Sequence, residues 1–166
     1  MKRITLLLVI ILPTIILTAC GGTASSEPAP PVIHYGEDIC EFCGMIISDE
    51  RYAAGYVTHD GEERIFDDVG GMFLTHLEKQ EDVMAFFVHD YEDTRWIRAE
   101  TAHYVLSDDL PTPMLHGLAA CETQQKAEKL AAEYGGQVMA FDEVMTHFHE
   151  NQASRMSGEE MEHQHQ

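Results

Sequence analysis

The sequence predicts an α+β fold made of two similar ββαβ subdomains packed together. Two observations carry this expectation. The order strand, strand, helix, strand occurs twice along the chain, and each helical pattern is bracketed by capping signals. The length of 166 residues suits one domain that buries its own core without staples.

The elements follow in order. Lys2 and Arg3 precede an apolar run from Ile4 to Leu17, which ends in Leu17-Thr18-Ala19-Cys20. A basic start, a short apolar middle and small residues before the break make a secretory signal over residues 1–19, too short for a comfortable spanning helix. Leu-Thr-Ala-Cys also resembles a bacterial lipobox, in which Cys20 becomes the lipidated first residue. Residues 20–36, rich in small residues and proline, are expected to be a tether between lipid and domain.

The folded domain is expected over 37–150, with halves of about 37–92 and 93–150. In the first half, Arg51–Thr58 reads as a strand, and His59-Asp60-Gly61 turns it into Glu62–Phe66. Asp67 or Asp68 can cap a helix with Val69, Met72, Phe73 and Leu77 on one face. Val83–Val88 follows as a short buried strand. In the second half, Trp96–Leu106 has strand character, Ser107–His116 is a loop, and Gly117–Cys121 is a strand. Thr123 can cap a helix with Ala127, Leu130, Ala131 and Tyr134 in register, stopped by Gly135-Gly136. Gln137–Phe141 is the last strand and Asp142–Glu150 a short helix. Residues 151–166, rich in Gln, Glu, Ser and His, are expected to be a disordered tail.

The net charge of −19 excludes a nucleic-acid partner, because such a surface repels phosphate. Loss of residues 1–19 removes Lys2, Arg3 and no acid, which takes −19 to −21. The surface can attract cations or a basic protein, or simply keep the chain soluble. No Ser-His-Asp set, phosphate loop or paired-carboxylate signature is evident, so nothing points to an enzyme.

The chemistry concentrates in Cys40-Glu41-Phe42-Cys43-Gly44-Met45. Two thiols and a thioether within six residues form a soft donor set, suited to Cu(I) with Zn(II) behind it. The spacing leaves two readings for the cysteines, a metal site or a disulfide. A zinc ribbon needs a second pair, and a thioredoxin-like role needs the motif at a helix start, where Gly44-Met45-Ile46-Ile47 fits poorly. Cys121, in a small apolar run, reads as an inert packing residue. Met72, Met84 and Met139 read as core. Met114 differs, lying in a proline-rich loop with His116 two positions on, and the pair is a candidate second half of a soft-metal site. His147 and His149 point apart on a helix.

Several stretches together resemble the NosL family, exported copper-binding lipoproteins associated with assembly of nitrous-oxide reductase. They are Cys43-Gly44-Met45, Phe66-Asp67-Asp68-Val69-Gly70-Gly71-Met72, Val88-His89-Asp90-Tyr91, Trp96-Ile97, Ala102-His103-Tyr104-Val105, Thr112-Pro113-Met114 and Gly135-Gly136. The resemblance spans about Cys40 to Glu150. It implies two related ββαβ halves and Cu(I) held by Cys43 and Met45, with Met114 as a partner from the second half. Cys40, which makes a C-x-x-C associated with some members of the family, is a further candidate ligand, and His116 is added by proximity. The partners implied are the apo copper enzyme, nitrous-oxide reductase, or its membrane maturation machinery. The expected place is the extracytoplasmic face of the cell membrane, reached through the lipid on Cys20. The rival readings are a thiol–disulfide protein using Cys40 and Cys43, and an adaptor lipoprotein without metal.

Overall fold

Each half is built around one central strand with a neighbour on either side. In the computed structural model, which describes residues 27–163 with side chains to residue 153, β1 (Ala54–Thr58) lies between β2 (Glu63–Phe66) and β3 (Val83–His89), both antiparallel to it. Ala54 faces Phe66 on one side and Val88 on the other. The second half repeats the plan with β5 (His103–Leu106) between β6 (Leu118–Cys121) and β7 (Gln137–Ala140). There His103 faces Cys121 and Ala140. The registers therefore match Phe66 to Cys121, and each helix begins at the same offset after it, α1 at Val69–Lys79 and α2 at Gln124–Tyr134.

Both helices start as their sequences dictate. The Asp68 side chain accepts from Gly70 N–H at α1, and Thr123 accepts from Lys126 N–H at α2. This satisfies donors that the first helical turn leaves free. α2 ends on Gly135 at φ 69°, where a residue without Cβ is at ease. α1 ends on Gln80 at φ 50° instead.

The largest of three core clusters among the described residues is shared by both halves. Phe73 of α1 meets Tyr104 of β5 at a ring-centroid distance of 5.8 Å, Phe141 at 5.5 Å and Phe148 at 6.0 Å. Tyr56, Phe66, Tyr104 and Leu118 are fully buried in the same cluster. Burying each such side chain contributes roughly 1.5–3 kcal/mol, and Phe73 does so across the boundary between halves.

Three expectations are corrected. The stretch 96–106 is not one strand. β4 (Trp96–Arg98) pairs with β3 as a fourth strand of the first sheet, and a single 3-10 turn (Ala99–Thr101) then leads to β5. The corner is fixed by polar groups: the Glu100 carboxylate accepts Phe86 N–H at 3.1 Å and the Tyr104 hydroxyl donates to Ala99 C=O at 2.7 Å. The described part of the tether is docked rather than free. Tyr35 Oη lies 2.8 Å from His89 Nε2, Glu27 pairs with Arg98 at 3.3 Å, and a Cβ on Gly55 would stand only 2.5 Å from Pro31. Finally, α3 runs Phe141–His163, past Glu150 and into the expected tail. Residues 151–163 hold no proline, and Gln, Glu, Ala, Arg and Met are good helix formers. Residues 1–26, with the signal segment and Cys20, lie outside the described residues.

Candidate metal centre

The cysteine loop is a short hairpin closed by its own backbone. Cys40 N–H donates to Met45 C=O at 2.8 Å, Gly44 N–H donates to Cys40 C=O at 2.9 Å, and Ile39 bridges to Ile46. Gly44 turns the chain at φ 73°, which a side chain would strain. Glu41 N–H donates to Ile65 C=O at 3.0 Å and ties the loop to β2. Phe42 then rests on α1 where a Cβ on Gly71 would lie 3.2 Å from its ring, so a glycine there lets the loop come close.

This brings Cys40 and Cys43 to Asp67, the residue just before the α1 cap. One sulfur from each cysteine and one oxygen from Asp67 lie within 4.8 Å of one another. Cys43 Sγ is 3.7 and 3.8 Å from the two Asp67 oxygens. Both cysteines are free thiols, Cys40 buried and Cys43 partly exposed. Burial, and then the Asp67 carboxylate, push the Cys40 thiol up to about 12, against backbone N–H groups of Asp67, Cys43 and Phe42 that favour its thiolate. A soft cation that displaces this proton would gain a buried sulfur ligand.

The second-half loop reaches the same helix end through Asp68. Its buried carboxylate accepts Gly70 N–H at 2.8 Å, Met114 N–H at 3.1 Å and His116 Nδ1–H at 2.8 Å. Burial alone would raise this carboxyl, yet the hydrogen bonds from His116, Met114 N–H and Thr112 hold it below the usual range. Because Nδ1 donates to Asp68, Nε2 is the His116 nitrogen left to accept or ligate. Gly70 makes room: a Cβ there would stand 2.5 Å from His116 Cβ.

The structure thus gathers Cys40 and Cys43 directly, and brings Met114 and His116 to the adjacent residue. Met45 closes the cysteine loop through its carbonyl, and its side chain is 49% exposed. Asp67 is the donor the sequence reading passed over. The signal was the doublet itself: one carboxylate caps the helix, which frees its neighbour to face the thiols. His147 stays outside this set, bonded to Asn151 at 2.9 Å on α3, and lines a groove together with Phe42 and His116. Cys121 is buried as expected, whereas Met84, expected in the core, is exposed on β3.

The family model described as NosL matches residues 31–148. A copper-binding lipoprotein NosL of Stutzerimonas stutzeri is 29% identical over 139 residues, covering 77% of this chain and 73% of the relative. The crystal structure of the copper chaperone NosL from Shewanella denitrificans superposes with a TM-score of 0.60 at 22% identity, covering 70% of this chain and 95% of that one, and shows the shared fold. The order of elements, the paired loops at the start of α1 and the match over residues 31–148 lead to one conclusion: this chain belongs to the NosL family.

Proposed function

We propose that the chain is an exported, membrane-anchored Cu(I) carrier that delivers copper to a copper enzyme, nitrous-oxide reductase, by ligand exchange. The observation that supports this reading is the convergence of Cys40, Cys43 and Asp67 at one helix end, beside the Asp68 that holds the Met114 loop. Cys43, Met45 and Met114 supply soft donors from both halves, with Cys40 and His116 as auxiliary ligands. A partly exposed Cys43 and a half-exposed Met45 suit exchange, since incoming ligands can displace them one at a time. The naming of relatives as a copper-binding lipoprotein and a copper chaperone agrees with this assignment. The lipid on Cys20 would hold the carrier at the extracytoplasmic face of the cell membrane, near the apoenzyme or its maturation machinery.

The test is an anaerobic Cu(I) titration of the reduced domain against a competing chelator, with Cys43→Ser and Met114→Ile alongside. One-to-one binding, weakened about tenfold or more in each variant, which is about 1.4 kcal/mol, is the expected result. Weak binding unchanged by either substitution would sink the carrier and favour the adaptor reading. Palmitate labelling lost in Cys20→Ala is the matching test of the anchor.

A further inference from the structure

Leu115 is the most exposed large apolar side chain among the described residues, at 84%. Its backbone is held at φ 57°, a left-handed conformation that side-chain-bearing residues rarely adopt. The cause is visible on either side of it. Met114 N–H and His116 Nδ1–H both donate to Asp68, and Leu115 N–H donates to Thr112 C=O at 3.0 Å. With both neighbours drawn inward, the leucine is turned out to solvent. It stands at the edge of a groove of about 330 Å³ walled by Phe42, Leu74 and Phe148, with Glu78 and His147 on the polar side.

The groove adjoins the metal centre by chain connectivity at two points. Phe42 directly precedes Cys43, and Leu115 lies between Met114 and His116. The rare backbone conformation keeps an apolar side chain on the lining of an apolar groove, and the two together offer one contact surface. The surrounding chain carries −19, so the partner that gains most on approach has basic side chains around its apolar contact.

We propose that this groove, with Leu115 as its anchor, docks the copper acceptor through an apolar segment flanked by basic residues. The proposal rests on the carrier reading above and gives it a place for the partner. Docking there sets the acceptor's ligands beside Cys43, where exchange can begin without free copper being released.

The experiment is stopped-flow transfer of Cu(I) from the loaded, anchored full chain to apo nitrous-oxide reductase, for the parent protein, Leu115→Asn and Leu115→Phe. Asparagine tolerates the left-handed backbone but removes the apolar contact, and phenylalanine restores apolar bulk without adding a sulfur donor. Cu(I) affinity should stay within about twofold in all three, since the Leu115 side chain is exposed and takes no part in the hydrogen bonds that hold Met114 and His116 to Asp68. Transfer should slow about tenfold or more in Leu115→Asn, recover in Leu115→Phe, and weaken for the parent as salt rises. Transfer by Leu115→Asn at the parental rate would overturn the docking proposal alone. A parent protein that binds Cu(I) but passes none to this acceptor would overturn the delivery reading and the docking site together.

Discussion

Asp68 and His116 stand 48 residues apart in sequence and 2.8 Å apart in space. The helix cap of the first half thereby receives the imidazole of the second, and the same carboxylate holds Met114 N–H. One buried side chain does three jobs: it starts α1, sets the His116 tautomer and fixes the loop that carries Met114.

Asp68→Ala should therefore cost more than an ordinary cap. Loss of a cap costs about 0.5–2 kcal/mol, and leaving the part-buried Met114 and His116 donors unpaired adds roughly 1 kcal/mol or more. Thr123→Ala removes the equivalent but exposed cap of α2 and should cost only about 1 kcal/mol. Urea unfolding of both variants, compared at equal slope, reads the difference.

Asp67 offers a carboxylate to the two thiols of Cys40 and Cys43. Carboxylate oxygen serves Zn(II) well and Cu(I) poorly. Asp67→Ala should lower Zn(II) affinity by about tenfold or more while Cu(I) affinity falls less. Parallel competition titrations with the two metals measure the ratio, and equal losses would rule out a ligand role confined to Zn(II).

Cys40 is a protonated thiol at neutral pH because burial and Asp67 push it up to about 12. A metal that takes its sulfur must release that proton, so affinity should rise with pH, about tenfold per unit for each proton displaced. Cys40→Ser should flatten the slope by one proton. A slope identical in the variant would mean that Cys40 stays outside the ligand set.

Two histidines, His76 and His89, weigh on the acid side of stability. His89 donates Nδ1–H to Thr94 C=O at 2.6 Å and accepts Tyr35 O–H at Nε2, with its ring centroid 3.8 Å from that of Trp96 at an interplanar angle of 34°. Burial lowers its pKa and that of His76, whose buried Nδ1 has no hydrogen-bond partner. The unfolded chain then takes up protons before the folded one as pH falls. Stability should be full above pH ~6.5 and decline below it. Urea midpoints at pH ~7.5 and ~5.5 measure this, and the decline should shrink in His89→Gln.

Gly70→Ala tests the close approach of the two halves. Helix propensity alone favours alanine by about 1 kcal/mol. The added Cβ would lie 2.5 Å from His116 Cβ, so the His116 loop must shift. Overpacking of this kind costs typically about 1–3 kcal/mol, and the variant should be less stable than the parent by urea unfolding, despite its better propensity.

The sequence alone determined the repeated ββαβ order, both helix starts and the sulfur-rich loop. Each rests on local chemistry: apolar periodicity, Asp and Thr caps, a Gly-Gly stop, and three soft donors within six residues. It also singled out Met114, because a methionine in a proline-rich loop has no core to fill. Only the tertiary structure decided which aspartate caps and which faces the thiols, since both stand at the same helix start and differ only in what the two loops bring to them. It likewise broke 96–106 at Glu100, whose carboxylate binds a strand fourteen residues earlier, and laid the tether across β1 through Pro31 and Gly55. Those outcomes depend on contacts between residues far apart in the chain, which no local pattern encodes. Asp68 is the clearest case: its sequence neighbours mark it as a cap, and the fold makes it the joint between the two halves of the chain.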